Sequence, residues 1–78
     1  MPTVQRRGPY RAFFYSNEGD EPAHLHVRSA NKEAKFWLHD LSVAVNAGFP
    51  LHEIGAIIRH LRSQRDLLEG KWHEYFGN

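Results

Sequence analysis

The chain has 78 residues, a formal net charge of +1 and no cysteine. A chain of this length supports one small domain with a net stability of roughly 4–12 kcal/mol. With 41% hydrophobic and 13% aromatic residues and a mean hydropathy of −0.61, it is neither a disordered tail nor a membrane-spanning protein. The missing cysteines exclude disulfide scaffolds, thiolate zinc sites and thiol catalysis. The first residues, Met1 to Arg7, contain no apolar core of a secretory signal, so the expected compartment is the cytoplasm. Charge is uneven: Arg6, Arg7 and Arg11 precede an acidic stretch with Glu18, Asp20 and Glu21. A total near zero argues against bulk nucleic-acid binding, while local basic patches stay open.

In chain order, Val4 begins a short strand that Gly8-Pro9 interrupts. Tyr10 to Tyr15 is aromatic and reads as a strand. Ser16 to Pro22 is a polar loop. Ala23 to Arg28 alternates apolar and polar residues and predicts a second strand, with Glu33 to Leu38 as its hairpin partner. Asp40 reads as the N-cap of a short helix over roughly residues 41–47, closed by Gly48. Pro50 then opens a long helix to about residue 76. Its apolar stripe comprises Leu51, Ile54, Ile58, Leu61, Leu68, Trp72 and Tyr75. The expected fold is α+β: a small antiparallel β-meander of three to four strands packed against a short helix and a long C-terminal amphipathic helix, as a single domain over 1–78.

The first chemical signal is His24-Leu25-His26. Residues two apart on a strand share a face, so Leu25 and Val27 go to the core and the two histidines face outward. Three readings stand side by side: solvent-facing decoration, a metal site, or catalytic acid and base groups. A metal needs more than two ligands; Asp20, Glu21 and His39 are the candidates for a third. Alternation also puts Arg28, Lys35 and Trp37 on the histidine face, with Arg11, Phe13 and Tyr15 nearby. Interleaved aromatics and cations suit a protein partner or RNA, and equally suit plain cross-strand pairing.

Two features sit on the helical half. At about 100° per residue, Arg65 falls inside the apolar stripe, where it needs a partner. Glu69, one turn later, offers an ion pair; otherwise Arg65 snorkels over the stripe or recognises a ligand at its open end. The string Gly48-Phe49-Pro50-Leu51-His52-Glu53-Ile54 resembles the turn of the mercury-resistance-regulator family, between two helices. The apolar stripe of the following helix commits that helix to the sheet, so capping and packing explain the string. A small, cysteine-free core with two tryptophans and an apolar helix end at Trp72-Tyr75-Phe76 makes a homodimer a separate expectation.

Taken together, Met1-Pro2-Thr3-Val4, Tyr10-Arg11, Phe13 to Glu18, Glu21-Pro22-Ala23-His24-Leu25-His26-Val27, Glu33 to Leu38, Ala47-Gly48-Phe49, Glu53-Ile54 and Trp72 to Gly77 resemble one small prokaryotic family, domain of unknown function 4160. The family pattern carries a second proline where Ala23 stands and leaves both histidines in place. The resemblance implies a small bacterial or phage-encoded protein, often encoded beside another small domain in pairs like toxin–antitoxin modules. It implies that this chain is the toxin-like member and binds a small antitoxin-like partner. The resemblance supplies no catalytic residues and no mechanism, and no cofactor is expected.

The leading expectation is therefore a toxin-like protein that binds its cognate partner; if it has an activity, RNA cleavage is the most economical one. His24 and His26 would serve as acid and base, and Arg11, Tyr15, Arg28, Lys35, Trp37 and Arg65 would form binding contacts. The alternatives are a non-enzymatic protein-binding or regulatory domain, and a small metal-binding module built on His24 and His26.

Overall fold

The computed structural model describes residues 3–77. Five strands, β1 (Thr3–Arg7), β2 (Tyr10–Phe13), β3 (His24–Ser29), β4 (Lys32–Trp37) and β5 (Val43–Ala47), are followed by α1 (Leu51–Ser63) and α2 (Arg65–Phe76). The sheet is an antiparallel meander in the order β1-β2-β3-β4-β5. Each strand pairs with its sequence neighbour, as consecutive antiparallel strands do; the β2–β3 connection is the long one, residues 14–23. Gly8 at φ 57° and Ala30 at φ 55° supply the left-handed residues of the first and third connections.

The α+β class stands, and two elements differ from the sequence reading. The expected short helix at 41–47 is instead strand β5, which brings the sheet to five strands. Asp40 does not cap a helix. Its Oδ1 accepts from the Ser42 amide at 2.9 Å and the Ser42 hydroxyl at 2.7 Å, forming a side-chain-closed turn. Leu41 adopts φ 58°, which reverses the chain, and the two valines of Val43-Ala44-Val45 favour a strand over a helix. With no helix before Gly48, the helix-turn-helix resemblance has no structural counterpart.

The long helix is two helices. Gln64 leaves helical geometry at φ −115°, ψ 8° and caps both. The Ser63 hydroxyl donates to the His60 carbonyl at 2.6 Å, and the Gln64 amide donates to the Leu61 carbonyl at 3.0 Å. Such side-chain back-bonding and a three-residue closing bond tighten and end a helix. The expected apolar stripe is buried only in part. Ile54, Ile57, Leu61, Leu68 and Trp72 are buried, whereas Leu51 is 84% exposed and Tyr75 47% exposed.

The core lies between the helices and one face of the sheet. Ala12, Leu25, Val27, Ala34 and Phe36 meet Ile54, Ile57, Leu61, Leu68 and Trp72 there. Phe14, just past β2, packs edge-on to Trp72 at 5.2 Å and lies 6.0 Å from Phe76. Trp72, part of the apolar helix end, is thus buried in the fold, and Phe76 packs partly buried against it. No described helix is long and apolar enough to cross a membrane.

A buried His–Glu–His cluster on the second face of the sheet

Register places the remaining residues. Phe13 lies opposite His26, Arg11 opposite Arg28, His26 opposite Lys35, and His24 opposite Trp37. Directly opposed residues share a face, so one face carries Arg11, Phe13, His24, His26, Arg28, Glu33, Lys35 and Trp37, away from the α1-facing core. The expectation that the histidines face solvent there is overturned: His24 is 0% and His26 6% exposed. Strand alternation names the face correctly and says nothing of what covers it. Here the cover is the 14–23 segment, which folds back over β3.

Successive turns hold that segment in place. The Glu18 amide donates to the Tyr15 carbonyl at 3.3 Å, the Glu21 amide to the Glu18 carbonyl at 3.2 Å, and the Leu38 amide to the Ala23 carbonyl at 3.0 Å. Gly19 lies against α2, where a Cβ would come within 2.5 Å of the Phe76 ring. Lys35 Nζ donates to Glu21 Oε1 at 2.6 Å from the sheet below, and lies 4.5 Å from the Trp37 ring.

The result brings three side chains to one point. Glu18 Oε1 lies 2.7 Å from His24 Nε2 and 2.8 Å from His26 Nε2. The ligand-type atoms of Glu18, His24 and His26 all fall within 4.8 Å of one another. Burial alone would raise the Glu18 carboxyl. The hydrogen bonds and charges of the two histidines outweigh it and hold the group below the usual carboxylate range.

The outer nitrogens are oriented too. His24 Nδ1–H donates to the Pro22 carbonyl at 2.8 Å. His26 Nδ1 stands 3.6 Å from Glu33 Oε2, and the Tyr15 hydroxyl donates to that same oxygen at 3.2 Å. His26 is further clamped by Phe13, stacked at 5.5 Å, and by Tyr15, edge-on at 4.5 Å. His24 lies 4.9 Å from the Trp72 ring. Each imidazole thus turns Nδ1 toward an outer acceptor and Nε2 toward the shared centre. A neutral imidazole has one N–H and can satisfy only one of the two oxygens it faces.

The other predicted residues do not join the cluster. Arg28 is half exposed and 3.9 Å from Glu33. Arg11 lies over the Phe13 ring at 4.8 Å, and its Nε is buried without a hydrogen-bond partner among the described residues. Arg65 lies apart from this face, paired with Glu69 at 3.3 Å. Of the proposed third ligands, Glu21 engages Lys35, His39 is exposed beside Asp40, and Asp20 is exposed. Glu18 takes the position instead. Its only trace in the sequence is an acid six and eight residues before the two histidines, in a loop that Pro22 turns back. A shallow cleft of about 280 Å³ opens beside the cluster, lined by Glu18, His26, Glu33, Lys35 and Val45 among others.

The meander, the two helices and this cluster define a small α+β domain with a buried His–carboxylate–His constellation. The chain belongs to the family described as Domain of unknown function (DUF4160), whose family model matches residues 10–73. Comparison with curated proteins and with solved structures returned no match.

Proposed function

We propose that the chain is a small metal-binding domain in which Glu18, His24 and His26 hold one divalent transition-metal ion. The observation that carries this reading is the convergence of two Nε2 atoms on one carboxylate oxygen, with both Nδ1 atoms turned to outer acceptors. Histidine ligands typically donate their second nitrogen to a carbonyl or carboxylate, which sets the tautomer and aims the lone pair. Pro22 and Glu33 stand in those two places. Two histidines and one carboxylate form the protein part of many zinc sites and of open-sided iron(II) sites. Around an ion at about 2.1 Å, tetrahedral ligand atoms stand roughly 3.4 Å apart. The Glu18 carboxylate therefore withdraws by several tenths of an ångström on loading, which a side chain of the covering loop allows. When bound, the ion supplies Lewis acidity and lowers the pKa of a coordinated water.

The partner-binding, toxin-like reading is retained as a second proposal, favoured by half-exposed Arg28 beside the cleft. It changes in one respect. His24 has no exposed surface, so in this conformation it serves better as a ligand than as an acid or base touching RNA.

The test is titration of untagged protein with Zn²⁺, Mn²⁺ and Co²⁺ by calorimetry, with the Co²⁺ visible spectrum as a report on coordination. One equivalent is expected to bind, and His24→Ala, His26→Ala and Glu18→Gln should each weaken binding by at least roughly tenfold. Binding below about one-tenth equivalent, or three variants that bind like the wild type, would remove the metal reading.

A further inference from the structure

A second concavity lies on the opposite side of the sheet and involves none of the cluster. It is a cleft of about 220 Å³ between β1–β2 and α1. Ala12, Val27, Ile57 and Leu61 form its apolar floor and wall, and Gln5, Arg7 and His60 stand at its mouth. Two small side chains make the space: Ala12 on β2 and Ala56 on α1 face it with single methyl groups. An apolar hollow left open costs stability in proportion to its volume, and a 78-residue chain has little stability to spare.

The rim is polar where the strand pattern asks for apolar residues. Gln5 pairs with Ala12, and Arg7 with Tyr10, so both belong to the helix-facing side of edge strand β1. Gln5 spans the cleft, accepting from His60 Nε2 at 3.0 Å and donating to Gln64 Oε1 at 3.3 Å. Among the described residues no carboxylate pairs with Arg7. Glu53, bonded to the rim's Tyr10, is also held by Lys32 at 3.0 Å. The mouth therefore presents a free cation beside an apolar pocket.

We propose that this cleft is a binding site for a small carboxylic acid with an apolar body, the body lying between Ala12 and Ala56 and the carboxylate meeting Arg7. The volume is below the roughly 300–1,000 Å³ of drug-sized sites, which limits the ligand to on the order of ten non-hydrogen atoms. A guanidinium is suited to a carboxylate through two parallel hydrogen bonds. Gln5 and His60 offer the neutral polar contacts that orient such a head group.

The experiment is an amide-resolved NMR titration of the full chain with 3-phenylpropionate and, separately, with its uncharged amide. Saturable shifts are expected at Ala12, Val27, Ala56 and Ile57, with the acid bound roughly fivefold more tightly than the amide. Arg7→Gln should abolish that preference. Ala56→Leu fills the hollow from an exposed helix position and should abolish binding of acid and amide alike. Four results would overturn the proposal: no saturable shift up to about 10 mM, equal affinity for acid and amide, shifts centred on Glu18 and His26, or an Ala56→Leu variant that binds as the wild type does.

Discussion

Gly19 and Phe76 meet so closely that a Cβ on the glycine would stand 2.5 Å from the phenylalanine ring. This contact ties the loop carrying Glu18 to the last turn of α2. Gly19→Ala must push either the ring or the loop aside. Overpacking of this kind costs about 1–3 kcal/mol, with the low end expected here because Phe76 lies at a helix end. The same change should weaken metal binding, since it displaces the neighbour of a ligand. Chemical denaturation and metal titration of Gly19→Ala, with and without Phe76→Ala, check both effects. Phe76→Ala should relieve the clash and restore affinity.

Trp72 joins the two halves of the molecule. Its ring lies 4.2 Å from Phe76, 5.2 Å from Phe14 and 4.9 Å from His24, and it is 2% exposed. Trp72→Ala is expected to cost about 3–5 kcal/mol, a large share of the total for a chain this size. Trp72→Phe should cost less, since it keeps a ring. Urea midpoints of the two variants provide the comparison.

Glu33 acts on the cluster from outside it. Its carboxylate faces His26 Nδ1 and accepts from Tyr15. Glu33→Gln leaves all three proposed ligands in place but removes the charge that orients one of them. Outer partners of this kind are worth about 10–100-fold in affinity, so a fall of roughly tenfold is expected, with metal-free stability changed by less than about 1 kcal/mol. Calorimetric titration beside a metal-free melting curve separates the two.

His60 makes stability depend on pH near neutrality. Burial first, and then the charge of Arg7, hold it below its ordinary value of 6.5. The unfolded chain therefore takes up this proton at a higher pH than the folded chain does. The resulting stability is present above 6.5 and is lost as the pH falls through the lowered folded value. His60→Gln should flatten the curve of denaturation midpoint against pH between about 7.5 and 5. An unchanged slope would show that His60 is not the group responsible.

Glu53 contributes at lower pH and with the same sign. The Tyr10 hydroxyl bond first, and then Lys32, hold its carboxyl below the ordinary 4.5. Its contribution is present above 4.5 and is lost as the pH falls through the depressed folded value. Glu53→Gln should lower stability at neutral pH and narrow its gap to the wild type in acid. The checking measurement is the same midpoint series carried down into the acid range.

Local chemistry made much of this molecule readable in advance. Alternation along Ala23 to Arg28 and Glu33 to Leu38 marks two strands, and their pairing puts His24, His26, Arg28, Lys35 and Trp37 on one face, because side chains in a strand alternate strictly. The spacing of Ile54, Leu61, Leu68 and Trp72 likewise names helical positions that are buried, since a helix repeats its face every three to four residues. The Arg65–Glu69 pair follows from that same repeat.

The rest depended on forces that act across long sequence separations. An aspartate before an apolar stretch suits a helix cap and a closed turn equally; pairing with β4 selects the turn and makes Val43–Ala47 a strand. Periodicity names a helical stripe but not how far the sheet covers it: Leu51, the first residue of α1, ends in solvent while Ile57 is buried. Above all, no periodicity places Glu18 between His24 and His26. A polar loop has no repeat to read, and its path is set by contacts with distant residues: Gly19 against Phe76 and Glu21 against Lys35. The sequence by itself determined which side chains share a face. Only the tertiary structure decided that this face is roofed by the loop, because a roof is formed by packing between segments and not by the pattern within any one of them.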